Sequence, residues 1–179
     1  MDYFKYVKTL EKKSVPVILG IESSCDETAA SVVIGGRKIL SNVILSSAPE
    51  HMKYGGVVPE IASRAHTEAV SEAVTRAVKE AGLTFSDIDA VAVTYGAGLL
   101  GALLVGVSYA KSLAFALNKP LLPVSHIRGH MAAAYLADEN LEPPFVTLLA
   151  SGGHTAIGIV KSYTDLEILG GTLGDAVGE

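Results

Sequence analysis

One series of elements occurs twice in this chain, and the repetition constrains the fold more than any other feature. Each copy consists of a buried strand, a short polar turn and two further strands that follow closely. The predicted strands are residues 17–21, 29–34 and 38–46 in the first copy and residues 145–150, 156–160 and 166–169 in the second. Because so few strands cannot bury a core alone, we expect the second copy to be the start of a twin domain that this chain contains only in part.

The elements between the two copies alternate between helix and strand. Their apolar patterns predict helices at residues 59–81, 98–117 and 126–136 and strands at residues 88–94 and 121–124. This order indicates an α/β domain with a mixed sheet and helices on both faces, in the ribonuclease H and actin style, and not a plain Rossmann alternation. We expect an N-terminal extension at residues 1–14, a complete first domain at 15–140 and the beginning of a duplicated, truncated second domain at 141–179.

The second long helix carries small residues at every fourth position. These residues are Gly98, Ala102, Gly106 and Ala110. Residues four apart lie on one face of a helix, and small side chains there leave a smooth surface that another backbone can approach closely. We expect the sheet to pack against this surface.

Composition narrows the class of protein. The chain has 179 residues, of which 49% are hydrophobic and 18% charged, as is typical of a soluble α/β protein. No uninterrupted apolar run approaches the roughly 18 residues that a membrane span requires, and residues 1–8 lack the apolar core of a signal peptide. We therefore expect a cytoplasmic protein without a membrane partner. The net charge of -5 argues against binding of nucleic acid by overall electrostatics.

His126 and His130 are candidates for metal ligands. They lie four residues apart in a predicted helix, so both imidazoles project from one face and can reach a common zinc or iron ion. The alternative is a pair of histidines that line a packed helix face. A thermolysin-like protease is disfavoured, because Ile127 stands where such enzymes carry a general-base glutamate. A third ligand would have to come from elsewhere, and the incomplete second domain is a natural source.

Two polar turns are candidates for substrate contacts. The first follows the opening strand and contains Asp26 and Glu27, which could hold a metal-bound phosphate or orient a nucleophile; the alternative is a solvated acidic turn. The second, at residues 151–155, offers consecutive backbone N–H groups suited to an anion. Cys25, the only cysteine, has no obvious base or neighbouring cation, which disfavours a reactive thiolate.

Five motifs in this order closely resemble the tRNA N6-adenosine threonylcarbamoyltransferase family, which has also been labelled O-sialoglycoprotein endopeptidase or glycoprotease. They lie at residues 20–28, 54–66, 101–106, 126–130 and 151–155. The resemblance implies an actin-like ATPase fold of two duplicated domains. It also implies transfer of a threonylcarbamoyl group from threonylcarbamoyl-adenylate to N6 of the adenosine next to the anticodon, in tRNAs that read ANN codons.

The resemblance further implies roles for individual residues. His126 and His130 would bind one divalent ion, iron or zinc, together with a downstream aspartate, and the ion would hold the phosphate of ATP, ADP or threonylcarbamoyl-adenylate. Asp26, Glu27 and His154 would act near the reacting group. The substrate-binding stretch would be Leu149, Ala150, Ser151, Gly152 and Gly153.

The resemblance implies partners too: tRNA, a paralogous actin-like protein and a small ATPase. Unpaired sheet edges in the incomplete second domain also predict a homodimer of this chain. Two alternative functions are a non-catalytic, dimerising paralogue and the metalloendopeptidase of the older family label. The chain departs from the family pattern at Ala97, where a proline is usual, and at Gly174, where an aspartate is usual.

Overall fold

The computed structural model describes residues 13–172, so the predicted extension falls almost wholly outside the described residues, as does Gly174. Five strands form the first sheet, in the order β3-β2-β1-β4-β5. Strands β1 to β3 pair antiparallel, whereas β1, β4 and β5 pair parallel. The strands are β1 (Val17–Glu22), β2 (Glu27–Ile34), β3 (Lys38–Ser46), β4 (Ala90–Gly96) and β5 (Leu121–Ser125). The predicted mixed sheet is thereby confirmed.

Five α-helices occur among the described residues. They are α1 (Ala48–His51), α2 (Pro59–Glu80), α3 (Leu100–Leu117), α4 (His126–Ala132) and α5 (Ala134–Ala137). Helix α2 packs on β2 and β3, α3 packs on β1 and β4, and the two helices also contact each other. The core between them and the sheet consists mostly of small and β-branched side chains, among them Ile21, Val32, Val74, Val91 and Ala110. Such side chains bring the helices close to the strands that carry polar residues at their ends.

The smooth face predicted for the second helix is present at Ala102, Gly106 and Ala110, which are buried, whereas Gly98 precedes the helix. The Oγ of Ser23 donates a hydrogen bond to the carbonyl of Ala102 across 2.9 Å. A Cβ atom added to Gly106 would collide with the side chain of Ser23, and one added to Gly98 would lie 2.6 Å from the carbonyl oxygen of Ser24. The helix itself begins only at Leu100, because Gly98 has a φ of 154° that a helix cannot contain. The turn after β1 therefore rests directly on the start of α3.

Helix α3 is the one helix in the described part of the chain that is long and apolar enough to cross a membrane by length and composition alone. Core helices of soluble proteins meet the same criteria, and α3 contacts both a sheet and a neighbouring helix.

The chain divides into two compact units, one ending at His126 and the other beginning at Ile127. The second unit contains β6 (Phe145–Ala150), β7 (Thr155–Val160) and β8 (Leu166–Gly171), which form an antiparallel sheet in the order β6-β7-β8. This sheet repeats the antiparallel order of β1, β2 and β3, so the predicted repetition of strands is confirmed. The ring of Tyr135 in α5 packs edge-on against Phe145 at 5.5 Å between centroids.

Two further predicted elements differ in detail. The strand predicted at residues 88–94 begins at Ala90, because Ile88 is fully buried in the preceding loop and Asp89 uses its side chain to bind the backbone of Val17. The helix predicted at residues 126–136 is observed as α4 and α5, with a break at Ala133. Burial of an apolar side chain in a loop is indistinguishable from burial in a strand at the level of sequence pattern.

Candidate functional site

Three adjacent parallel strands end at the same edge of the first sheet, and each brings a polar side chain there. Glu22 is the last residue of β1, Thr94 lies near the end of β4, and His126 directly follows β5. In sheets of this kind, ligands bind beyond the carboxyl ends of the strands. This edge of the sheet is therefore the candidate functional site.

The carboxylate of Glu22 is held by hydrogen bonds from two directions. One oxygen, Oε1, accepts a short hydrogen bond from the backbone N–H of Ser24. The other, Oε2, accepts from the hydroxyl of Thr94 across 2.6 Å. Burial raises the pKa of the Glu22 carboxyl, but the hydrogen bonds from Ser24, Thr94 and His126 outweigh that effect and hold the pKa below its ordinary value.

His126 faces this carboxylate through one ring nitrogen. Its Nδ1 lies 3.3 Å from Oε2 of Glu22 and 3.1 Å from Oγ of Ser24. A carboxylate only accepts hydrogen bonds, so in this contact Nδ1 is the nitrogen that carries the hydrogen. The neutral imidazole then has its lone pair on Nε2, and carboxylates stand in this relation to many metal-bound histidines.

His130 lies four residues further along α4, and its side chain is exposed. The two imidazoles suit zinc or iron in the chemistry of their donor atoms. Within residues 13–172, no group of three or more His, Cys, Asp or Glu side chains is placed to hold a metal ion. His126 and His130 are therefore the two donors that α4 could offer to an ion.

A buried histidine of α2 holds the polar turn between β1 and β2 by two hydrogen bonds. His66 is fully buried, and its Nε2 lies 3.0 Å from the carbonyl oxygen of Cys25. Since a carbonyl only accepts, Nε2 is the donor, and Nδ1 then accepts from the hydroxyl of Thr28 at 2.7 Å. Both ring nitrogens of His66 are thus used to hold the two sides of the turn. His66 is therefore a structural residue of the turn.

A second buried histidine, His51, is linked through Ser47 to Asp26, the next residue of the turn. Nδ1 of His51 accepts from the backbone N–H of Val58 at 3.3 Å, so its Nε2 donates to Oγ of Ser47 at 3.1 Å. The hydroxyl of Ser47 in turn donates to the carbonyl oxygen of Asp26 at 2.6 Å. The carbonyl oxygens of both Cys25 and Asp26 are therefore held by hydrogen bonds.

The anchored turn presents side chains of different character. Glu27 is exposed and Asp26 is half-buried, so both carboxylates can be reached from solvent. Burial and the neighbouring charge of Asp26 raise the pKa of the Cys25 thiol. A thiol with a raised pKa is a poor nucleophile near neutral pH, and this agrees with the sequence interpretation of Cys25.

The polar turn of the second unit is a closed hairpin between β6 and β7. The hydroxyl of Ser151 donates to the carbonyl oxygen of His154 and accepts from the N–H of the same residue, both at 3.1 Å. Gly152, Gly153 and His154 are exposed, whereas the side chain of Leu149 is buried. Any contact of Leu149 with a substrate would therefore have to come from its backbone.

Sequence reasoning assigned no role to Glu22, Thr94 or Ser24. The contacts of Glu22 with Thr94 and His126 join residues more than 70 positions apart in the chain. A usable signal was present for Glu22 and Thr94: each stands at the end of a predicted buried strand, and parallel strands end at a common edge. Only the order of those strands in the sheet was missing.

Residues 38–179 match the family model described as tRNA N6-adenosine threonylcarbamoyltransferase. The enzyme of that name from Clostridium perfringens (strain SM101) is 58% identical over 163 residues, which are 91% of this chain and 48% of the relative. The chain thus spans about half the length of the curated relatives it matches.

Two solved structures share the fold. YeaZ from Pseudomonas aeruginosa superposes with a TM-score of 0.55 at 19% identity, covering 87% of this chain and 64% of that protein. ROK hexokinase from Thermus thermophilus gives a TM-score of 0.50 at 21% identity, over 86% of this chain and 47% of the other. Both have the actin-like, ribonuclease H-like fold, so the predicted fold class is confirmed. Because the family model covers most of its length, the chain belongs to the tRNA N6-adenosine threonylcarbamoyltransferase family.

Proposed function

We propose that this chain contributes part of the site of an enzyme that transfers the threonylcarbamoyl group from threonylcarbamoyl-adenylate to N6 of the adenosine next to the anticodon, in tRNAs that read ANN codons. The observation that carries the proposal is the match of residues 38–179 to the family model. The relatives of that name are about twice as long as the matched region. The complete reaction is therefore assigned to the complete product of the gene.

The reaction places clear demands on the site. The N6 amine forms a bond to the carbamoyl carbon, the bond from that carbon to the phosphate oxygen breaks, and AMP leaves. The proton lost from N6 needs a base within hydrogen-bond reach. Asp26, Glu27 and His154 are the groups we assign to the surroundings of the reacting atoms. The solvent-accessible carboxylates of Asp26 and Glu27, on an anchored turn, support this assignment.

We assign one divalent ion, iron or zinc, to His126 and His130. When bound, such an ion supplies Lewis-acid polarisation and orientation of a phosphate group. The residues themselves provide two imidazoles at helical spacing, one of which is already oriented by Glu22 and Ser24. A further ligand, which the family resemblance gives as an aspartate, would come from the part of the enzyme that this chain does not include.

We assign the nucleotide, as ATP, ADP or threonylcarbamoyl-adenylate, to the hairpin of residues 149–153. The exposed backbone of Gly152 and Gly153 supports this assignment, because N–H groups without side chains can approach an anion closely.

The proposed partners are tRNA, a paralogous actin-like protein and a small ATPase, in the cytoplasm. Because the net charge of -5 disfavours binding of tRNA by overall electrostatics, we assign part of the tRNA contact to a partner. Exposed apolar side chains on α3, with Leu100 and Phe115 each 75% exposed, support a protein partner on that helix. The exposed Val146 and Leu148, on one face of the second sheet, support the homodimer that we propose for the chain by itself.

The test is nucleoside analysis. The complete gene product is incubated with its partner proteins, threonylcarbamoyl-adenylate and an unmodified tRNA that reads an ANN codon. Mass spectrometry should detect N6-threonylcarbamoyladenosine, and Asp26→Asn with Glu27→Gln should strongly reduce it. A control variant, Glu60→Gln on the exposed start of α2, should leave the yield unchanged. Absence of the modified nucleoside with the unaltered protein would contradict the proposal.

A further inference from the structure

We propose that Glu22 is a positioning residue for the metal site: its carboxylate holds the hydrogen of His126 on Nδ1 and so makes Nε2 the nitrogen that binds the ion. This inference rests on the metal site assigned to His126 and His130 under the proposed function. It concerns a residue for which the sequence indicated no role. The observation that supports the inference is the contact of 3.3 Å between Oε2 of Glu22 and Nδ1 of His126.

The carboxylate of Glu22 is itself held in a fixed orientation. Its Oε1 is bound by the backbone N–H of Ser24, and its Oε2 is bound by the hydroxyl of Thr94 at 2.6 Å. One of these donors belongs to the turn after β1 and the other to the neighbouring strand β4. A carboxylate with both oxygens occupied cannot rotate away without breaking a hydrogen bond, so it fixes the plane of the imidazole that it contacts.

The position of the hydrogen decides whether a neutral histidine can bind a metal through a given nitrogen. An imidazole with its hydrogen on Nδ1 presents a lone pair at Nε2, and the opposite tautomer does not. The Glu22 carboxylate and the Ser24 hydroxyl both lie within hydrogen-bond distance of Nδ1 of His126. The hydroxyl can adapt to either tautomer, whereas the carboxylate accepts hydrogen bonds only and so favours the tautomer with the hydrogen on Nδ1.

A purely structural role for Glu22 makes a different prediction. If the carboxylate served only to fix the turn, its contacts with Ser24 and Thr94 would be sufficient, and His126 would keep its tautomer without it. Glu22→Gln separates the two roles. The amide oxygen can still accept from the Ser24 N–H, while the amide nitrogen would face Thr94, whose hydroxyl can accept, and His126. The amide would then donate to Nδ1 and favour the hydrogen on Nε2.

The first measurement is made on the metal-free protein. Nitrogen-15 NMR of the complete gene product with labelled histidine reports the tautomer of each ring, and His126→Gln identifies the signal. We expect His126 to carry its hydrogen on Nδ1 in the unaltered protein and on Nε2 in Glu22→Gln. An Nε2–H tautomer in the unaltered protein would overturn the inference.

The second measurement is the dissociation constant for zinc, obtained by competition with a chromophoric chelator. Loss of a partner that orients a ligand commonly weakens metal binding by about 10- to 100-fold, and we expect a loss in this range for Glu22→Gln. The matched control is Glu60→Gln, which removes an exposed carboxylate of the same kind and should leave zinc affinity unchanged. Unchanged affinity in Glu22→Gln would also overturn the inference.

A double variant separates failure of this inference from failure of the proposed function. His126→Ala combined with His130→Ala should abolish zinc binding. If the double variant binds zinc like the unaltered protein, the metal site itself is wrong, and the inference falls with it. If the double variant loses zinc while Glu22→Gln keeps its affinity, the metal site stands and only the role of Glu22 is refuted.

Discussion

Nε2 of His66, a fully buried side chain of α2, donates a hydrogen bond of 3.0 Å to the backbone carbonyl of Cys25. The contact joins residues 41 positions apart and ties the first long helix to the turn that carries Asp26 and Glu27. The turn is therefore part of the folded core, although its acidic side chains face solvent. Its shape depends on the stability of α2, and this dependence can be measured.

Replacement of His66 by alanine should destabilise the protein strongly. The substitution removes both hydrogen bonds of the ring, leaves the Thr28 hydroxyl and the Cys25 carbonyl without this partner, and opens a cavity. Such losses cost about 2–4 kcal/mol in the free energy of unfolding. Urea denaturation followed by circular dichroism measures the change. Arg64→Ala, at an exposed position on the same helix, is the control and should change stability by less than about 0.5 kcal/mol.

The strands and long helices could be predicted because they depend on local patterns. The apolar patterns of the strands and the four-residue spacing of small residues in α3 are each visible within a short window. The contact of Glu22 with His126 could not, since it depends on β4 lying between β1 and β5 in the sheet. The buried histidines illustrate the same limit: nothing near His66 in the sequence indicates that its partners are Cys25 and Thr28.

The same limit applies to the residues of the candidate site. His126 and His130 were recognisable as a pair because helical spacing is a local property. The residue that orients His126 comes from a strand more than 100 positions earlier. Family resemblance supplied the reaction, but the hydrogen-bond partners of each side chain came only from the fold.

Because α3 closely approaches the turn after β1, alanine substitution at two helical glycines should have different effects on the stability of the protein. A Cβ at position 106 would collide with the buried side chain of Ser23, so Gly106→Ala should destabilise the protein by about 1–3 kcal/mol. Gly129 in α4 has open space at the same position, and Gly129→Ala should be neutral or stabilising by up to about 1 kcal/mol, because alanine favours helix. Thermal and urea denaturation of the two variants provide the comparison. Equal losses of stability would contradict the packing described for α3.

The lowered pKa of Asp89 predicts that the stability of the protein depends on pH. Burial raises the pKa of its carboxyl, but hydrogen bonds from Lys13 and from the backbone N–H of Val17, together with the charge of Lys13, outweigh burial and lower the pKa. A lowered pKa in the folded state means that the ionised carboxylate stabilises the fold. This stabilisation is fully present above the ordinary aspartate pKa of about 3.9 and is lost as the pH falls through the lower folded-state value.

The corresponding variant is Asp89→Asn. At pH 7 it should lower the free energy of unfolding by about 1 kcal/mol, since the amide keeps the shape of the side chain but loses the charge-assisted hydrogen bonds. The difference between variant and unaltered protein should shrink as the pH falls below about 4. Urea denaturation at pH 7, 5 and 3.5 checks this trend. A difference that is constant over this range would show that the charge of Asp89 does not contribute.

The thiol of Cys25 provides a probe of the turn itself. Burial and the adjacent carboxylate of Asp26 raise the pKa of this thiol, so the thiolate is scarcer at a given pH than in an unfolded chain. Alkylation by iodoacetamide requires the thiolate. We therefore expect slower alkylation at pH 8 in the native protein than in urea, and faster alkylation in Asp26→Asn than in the unaltered protein. Glu60→Gln removes a carboxylate from a different element and should leave the rate unchanged. If Asp26→Asn reacts no faster than the unaltered protein, the charge of Asp26 does not govern the thiol, and the half-buried position described for this carboxylate would need revision.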